Sequence, residues 1–352
     1  MTNPIRIWFN QTYNTNYWLM QMIRNNPDNV PVHIITSCLN PLSPAAQAGD
    51  EVWAEPDLSG REYAQWAADF ARAHDVDVFL PMKNVGAIAE HAHLFAGLPI
   101  AHSTAEAIRV FGHKGDAYAA VRHHRISVPP YRLASTAEGI LGAYAELREL
   151  TGGDTLILKP ATDVGGVGYR RILHDSPGGL HGLGGSISAD LSLASLQSIL
   201  ERAEGEGVAI PEYILMPYLD EPEVSIDTLT GPDGSIIGAV PRAKYGRSRL
   251  VPEAAGIFAD MLEMNRDISA EFGIRYLTNA QFRIYRGEAV LLEVNTRPSG
   301  GLFSTGHAGV NMVWACIRVL LGQEQAPLVP KPNSRYLNVE TAIPYDKVPQ
   351  AA

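Results

Sequence analysis

A chain of 352 residues is longer than one hydrophobic core usually supports, so two or three subdomains are expected. With 46% hydrophobic and 19% charged residues it reads as a folded globular protein rather than a disordered one. A net charge of -10, from 28 basic and 38 acidic residues, argues against a general nucleic-acid or anionic-membrane binder and leaves phosphate contacts to be local.

The N-terminal stretch MTNPIRIWFNQ has no basic segment followed by a long apolar run, and MVWACIRVLL (312–321) is too short and too polar to span a bilayer, so cytoplasmic residence is expected. Cys38 and Cys316 fit no zinc or CxxC spacing and read as core thiols. IRIWF (5–9) is a buried strand, followed by the polar loop NQTYNTN and an amphipathic helix from Tyr17 to Arg24. VHIITS (32–37), EVWAEP (51–56) and DVFLPM (77–82) are further strands, the last preceded by the helical pattern of REYAQWAADFARAHDV. Strands alternating with helices imply a parallel, doubly wound layer, here to about residue 103. No GxGxxG follows its first strand, which weakens a dehydrogenase reading.

From Ser103 the pattern changes. STAEAIRVFGHKGDAYAAVRHHRI opens on a capping Ser/Thr with Glu106 three residues on and continues with long helical periodicity. SVPPYRLAS is extended, a helix spans about 136–150, and TLILKP (155–160) is a short buried strand running into ATDVGGVGYRRIL. The glycine-rich segment 176–190 shows no periodicity and reads as a mobile loop. A helix to about Glu206 leads to YILMPYL, then to EVSIDTLT and SIIGAVPR, strands joined by the turn GPDGS. NAQFRIY and AVLLEVN form another hairpin around RGE, so the second region is mainly antiparallel sheet with helices, an α+β unit. The division expected is 1–103, 104–207 and 208–352.

LLEVNTRPSGG (291–301) places Glu293, Asn295 and Arg297 at every second position. A strand sends them to one face while Val294 points away. A carboxylate and an amide oxygen are hard donors of the kind Mg2+ accepts, and Mg2+ usually arrives with phosphates. The planar fork of Arg297 suits a phosphoryl group, and Ser299-Gly300-Gly301 can turn backbone amides toward an anion. A solvated strand edge is the competing reading. Gln281, on the strand paired with 290–296, adds a third oxygen donor or simply a cross-strand hydrogen bond to Asn295. Lys159 ends an apolar strand, and DVGGVG after it can drape backbone over an anion; an ordinary glycine-rich hairpin beside an exposed lysine is the alternative. Glu223 reads as a ribose-binding carboxylate or as part of an acidic strand surface. Arg242, Lys244, Arg247 and Arg249 gather in an otherwise acidic chain; Arg242 and Lys244 are expected to face a triphosphate or a substrate carboxylate, whereas Arg247 and Arg249 fit a solvated loop paired with acids such as Glu253. His113 and His307 are read as structural.

Lys114 ahead of SVPP, LILKP with DVGGVG, LMPYLDEPEVSID, NAQFRIY and LLEVNTRPSGG stand in an order that resembles the ATP-grasp carboxylate ligases, most closely their carbamoyl phosphate synthetase-like branch. The resemblance covers about residues 100–315, and the first hundred residues look like that family's preceding Rossmann-like domain. It implies an ATP-grasp fold with a small lid subdomain and an antiparallel-sheet core. By the same resemblance Lys114 and Lys159 bind ATP phosphates, and Gly165, Gly166 and Gly168 form the lid loop. Met216, Pro217, Tyr218 and Leu219 are the adenine hinge, with the Pro217 carbonyl and the Leu219 amide toward the base, and Glu223 takes the ribose. Met216 departs from the acidic residue or glutamine that many members carry there. Gln281, Glu293 and Asn295 match the metal-binding trio, with Mg2+ expected and Mn2+ compatible, and Arg297 matches the arginine that stabilises the transferring phosphoryl group.

The reaction so implied has two steps. A small-molecule carboxylate is phosphorylated by ATP to an acyl phosphate, and an amine or similar nucleophile then displaces phosphate. Phosphorylation of a small acid such as bicarbonate, and a non-catalytic ATP-binding regulatory protein, are the alternatives. No nucleic acid or membrane partner is expected, and a homodimer is an assembly common in the family.

Overall fold

The computed structural model describes residues 3–10, 14–40, 43–162, 168–174, 190–339, 341–343, 347 and 350. Two compact units divide the chain: Met1–Phe111, Pro222–Phe282 and Leu292–Ala352 form the first, Gly112–Glu221 and Arg283–Leu291 the second.

The first unit opens with β1 (Ile5–Asn10), α1 (Asn16–Arg24), β2 (Val32–Cys38), β3 (Glu51–Ala54), α2 (Gly60–Ala73), β4 (Val78–Pro81), α3 (Val85–Glu90) and α4 (Ala105–Phe111). The four strands lie in the order β3-β2-β1-β4 and pair in parallel throughout. Alternation along β1 covers both faces: Ile7 and Phe9 pack with Leu19, Met20 and Ile23 of α1, while Trp8 packs with Tyr63 and Phe70 of α2. Trp8 stacks on Phe79 with ring centroids 3.9 Å apart. The expected doubly wound layer is therefore present.

The second unit contains α5 (Lys114–Val121), β5 (Arg132–Ala134), α6 (Ala137–Leu150), β6 (Leu156–Pro160), β7 (Arg170–Leu173), β8 (Asp190–Ser192), α7 (Leu193–Gly205) and β9 (Tyr213–Pro217). The long helical periodicity from Ser103 is broken into α4 and α5. At the break His113 is extended (φ -124°, ψ 119°) and its side chain caps α5 by accepting from the Asp116 amide. The cap of α4 also differs from a capping box, for Thr104 Oγ1 accepts from the Ala107 amide while Glu106 pairs with Arg109. The sheet runs β5-β9-β6-β7-β8. Leu156, Leu158, Ile172 and Leu215 turn one face of it into a core with Ile140 and Leu147 of α6 and Leu196 and Leu200 of α7. Thr136 caps α6, its Oγ1 accepting from the Gly139 amide at 3.1 Å. Thr136→Ala should cost about 1 kcal/mol, read as a lower urea midpoint of this unit; an unmoved midpoint would show the cap to be dispensable.

The chain then gives β10 (Asp220–Thr230), β11 (Ile236–Tyr245), β12 (Ser248–Leu250), α8 (Ile257–Glu271), β13 (Tyr276–Tyr285), β14 (Glu288–Asn295), α9 (Met312–Leu320) and β15 (Arg335–Leu337). These strands make a six-stranded sheet, β14-β13-β10-β11-β12-β15, in which β10, β11, β12 and β15 pair antiparallel in succession. The expected hairpins over 223–242 and 279–295 are both formed. The stretch 312–321 is α9, whose Trp314, Cys316 and Ile317 join the core of α1 and β1. Among the described residues no helix is long and apolar enough to cross a membrane. Both cysteines are buried and free. Burial, and then the charge of Glu55, push the Cys38 thiol up to about 11, and burial raises Cys316 as well, so neither is a thiolate at neutral pH.

Candidate functional site

Within the second unit the two lysines singled out in the sequence stand at linked positions. Lys114 begins α5, and its backbone amide donates to the carbonyl of Ala161, two residues beyond Lys159 on β6. Each lysine is only 8% exposed. Lys159 lies opposite Ile214 and Ile157 opposite Met216, so these four share the face turned away from the α6–α7 core. Tyr118 of α5 reaches the same face and touches the Met216 sulfur, 3.9 Å from its hydroxyl. Buried ammonium groups beside an apolar strand are costly to desolvate and are normally held by anionic or polar partners.

Beyond Pro217 the chain is held by the Tyr218 amide, which donates to the Thr155 carbonyl at 2.7 Å. The Tyr218 ring has guanidinium carbons on it, Arg171 at 5.6 Å and Arg283 at 6.0 Å from the ring centre. Arg283 also donates to the Leu219 carbonyl at 3.0 Å, and Arg171 forks onto Asp190 with two bonds of 2.7 Å. Burial first, and then Tyr218, raise the neighbouring Tyr169 phenol against the pull of these arginines. Gly168 stands at φ +71°, where a Cβ would come within 2.8 Å of Pro160, so both conformation and space require glycine. Gly165 and Gly166, like the segment 175–189, lie outside the described residues.

In the first unit, β13 and β14 are neighbours, and burial alternates as expected: Ala280, Phe282 and Val294 are buried, whereas Gln281, Glu293 and Asn295 are half-buried. Asn295 Nδ2 donates to Glu293 Oε1 at 3.1 Å, and Gln281 Nε2 donates to Asn279 Oδ1 at 3.4 Å. Each amide thus spends its nitrogen on the protein and leaves its oxygen for a cation. These amide oxygens and the carboxylate are hard donors, the chemistry that fits Mg2+ carrying its own phosphate ligands. Among the described residues there is no cluster of three His, Cys, Asp or Glu that would hold a metal by protein ligands alone. Arg297 differs in detail from the expected row. β14 ends at Asn295, and Arg297 follows in a bend, half-buried, with Nη1 donating to the Pro298 carbonyl at 3.2 Å.

Glu223, Ser225 and Asp227 alternate along β10, facing Lys244, Arg242 and Val240 of β11 in register. Lys244 is exposed opposite Glu223, as a cross-strand charge pair would be. Arg242 is buried. Its Nε donates to Asp227 Oδ2 at 2.6 Å and its Nη2 to Ser299 Oγ at 3.1 Å, and it bonds Tyr336 as well. Burial alone would lower the guanidinium's proton affinity, but Asp227 and Tyr336 hold it above the usual value. Asp227, with no exposure, also accepts from Asn279 Nδ2 at 2.9 Å and Ser299 Oγ at 2.7 Å. This hub was not anticipated from the sequence.

Of the loop residues, Arg249 donates to the carbonyls of Gly246 and Ser248, and Glu253 accepts from Asn333 instead of an arginine. His113 caps α5 and bonds Glu212, and His307 stacks on Tyr336 at 5.0 Å, both structural roles. A groove of about 990 Å³ runs over α1 and residues 303–311, with Trp18, Met22, Phe303, His307, Tyr336 and Leu337 among its walls.

A parallel layer, a small mixed sheet and a larger sheet carrying a polar face are the parts of an ATP-grasp fold. Residues 209–342 match the family model described as ATP-grasp in the biosynthetic pathway with Ter operon. No curated protein matches it in sequence. Similar solved structures include N5-carboxyaminoimidazole synthetase from Staphylococcus aureus, 15% identical over 96% of this chain and 81% of that one, with a TM-score of 0.66. N5-carboxyaminoimidazole ribonucleotide synthetase from Thermus thermophilus is 17% identical over 95% and 83%, also at 0.66. The biotin carboxylase domain dimer of the Hydrogenobacter thermophilus 2-oxoglutarate carboxylase, solved with MgADP, ADP and bicarbonate, is 15% identical over 95% and 74%, at 0.64. At these identities the likeness is one of fold.

Proposed function

We propose that this chain is an ATP- and Mg2+-dependent ligase that activates a small-molecule carboxylate as an acyl phosphate and couples it to an amine or similar nucleophile, releasing ADP and phosphate. The observation that carries the reading is the polar row of Glu293 and Asn295 at alternate positions of β14, with Gln281 on the neighbouring β13 and Arg297 two residues beyond the strand. Lys114 and Lys159 serve the phosphates of ATP, Gly165, Gly166 and Gly168 close over them, and Met216 to Leu219 take the adenine. Glu223 takes the ribose, and Lys244 the substrate carboxylate or an outer phosphate.

Gln281, Glu293 and Asn295 would hold Mg2+, which would supply charge neutralisation on the phosphates. The rest of the work is positioning: Arg297 meets the charge that spreads over the transferring phosphoryl group, and the buried lysines keep the nucleotide from shifting. The amide at position 281 supports the finer assignment to the carbamoyl phosphate synthetase-like branch. The division 1–103, 104–207 and 208–352, a cytoplasmic location and a homodimer, by likeness to the Hydrogenobacter domain dimer, belong to the same proposal.

The test is ADP and phosphate release from Mg-ATP over pooled carboxylic acids, with and without pooled amines. Release needing both pools supports the ligase; release with bicarbonate or another acid alone points to phosphorylation of a small acid; nucleotide binding with no release from any pool favours a regulatory protein. Lys159→Met should weaken ATP about tenfold or more, the worth of a hydrogen bond to a charged group. An unchanged affinity would remove Lys159 from the phosphate site.

A further inference from the structure

We infer that Asp227 is the positioning residue of this site: with Arg242, Asn279 and Ser299 it fixes the Pro298–Gly301 bend and so sets where Arg297 points. The inference rests on the ligase reading proposed above and assigns Arg242 to the support of the bend in place of direct contact with an anion.

Three donors converge on one carboxylate that has no exposure, Arg242 Nε at 2.6 Å, Ser299 Oγ at 2.7 Å and Asn279 Nδ2 at 2.9 Å. Ser299 is tied twice, because Arg242 Nη2 also donates to it at 3.1 Å, and it in turn accepts from the Gly301 amide at 3.2 Å. Ser304 Oγ donates to the Gly301 carbonyl at 2.6 Å and bonds the Tyr336 hydroxyl at 2.6 Å, so the bend is held from both sides.

Gly301 gives the second observation. Its φ of -97° suits any residue, yet a Cβ there would lie 2.5 Å from Arg242 Nη1 and 3.0 Å from its Cζ. The guanidinium cannot swing aside without leaving Asp227, so glycine is required by the hub and not by the turn. Asn279 extends the hub to Gln281, whose Nε2 it accepts. One buried carboxylate therefore orders both an amide of the metal row and the bend that follows Arg297, while the guanidinium of Arg242 is spent on protein groups. Catalytic groups misplaced by about 1 Å lose large factors in rate, so such a hub has a use beyond stability.

The experiment compares binding of ADP and of the non-hydrolysable analogue AMP-PNP, both with Mg2+, in the full chain and in Ser299→Ala, Ser299→Thr and Gly301→Ala, alongside thermal melting. Arg297 meets only the terminal phosphoryl group, so the preference for the analogue over ADP reports its placement. Ser299→Ala and Gly301→Ala are expected to lower that preference about tenfold while leaving ADP affinity within about twofold. Ser299→Thr, which keeps the hydroxyl, should restore it. An unchanged preference in both variants overturns the inference, as does parallel weakening of ADP and analogue, which would mean general damage. A parent chain that binds neither nucleotide removes the ligase reading, and this inference falls with it; a parent chain that prefers the analogue while the variants keep that preference leaves the ligase reading standing alone.

Discussion

Arg297→Ala is expected to release ADP from Mg-ATP about 10³-fold more slowly than the parent chain, with ADP affinity nearly intact and ATP affinity lowered by no more than about tenfold, because an arginine placed on a transferring phosphoryl group is worth roughly 10³ to 10⁵ in rate. The asymmetry between rate and affinity follows from where the residue sits. Arg297 lies two positions beyond β14, half-buried, whereas the groups proposed to hold the ground-state nucleotide are the buried Lys114 and Lys159 and the hinge at Met216 to Leu219. An interaction with the terminal phosphoryl group that is far stronger once charge spreads in the transition state shows its loss mainly in kcat when it is removed. Arg297→Lys should recover only part of the loss, since a point charge on a flexible stem does not reproduce the planar fork. Single-turnover ADP release and a nucleotide titration check both halves; a kcat within tenfold of the parent would take Arg297 out of the chemistry.

The polar row was legible because a strand's period of two is rigid. Glu293 and Asn295 had to share a face opposite Val294, and they do. The parallel layer was legible for a related reason, as short apolar strands with helical patterns between them leave few other packings. Asp227 was not legible, and a bulge explains why. Counting back from the GPDGS turn, Thr230 faces Ile236, and an unbroken ladder from there would place Arg242 opposite Val224, on the buried face. The register shifts between Leu229 and Thr230, so that Arg242 faces Ser225 and lies diagonally beside Asp227. One extra residue moved the arginine from one face to the other, and no sequence pattern announced it. The break between α4 and α5 carried a signal, Gly112-His113, but the periodicity ran across it and overrode it. The groove over α1 joins segments nearly 300 residues apart, and their juxtaposition depends on the core joining α1 to α9.

Asp227→Ala is expected to be the most destabilising single change at the site, about 3–5 kcal/mol, the range for breaking a buried ion pair by removing one partner. The size comes less from the lost attraction than from what stays behind. Arg242 is always charged, it is buried, and its Nε would face a cavity; Asn279 and Ser299 would each lose an acceptor as well. The orphaned charge can be removed separately. Asp227→Ala combined with Arg242→Met should be more stable than Asp227→Ala alone by about 2 kcal/mol, because the second change eliminates an uncompensated buried cation and fills the space with a flexible apolar chain. Urea denaturation of the parent, both single variants and the double variant closes the cycle. A double variant less stable than Asp227→Ala would mean that water reaches the guanidinium and that the pair is not desolvated. Recovered stability without recovered turnover would separate the two uses of the same carboxylate, since the apolar pair can fill the volume yet offers Ser299 nothing to bond.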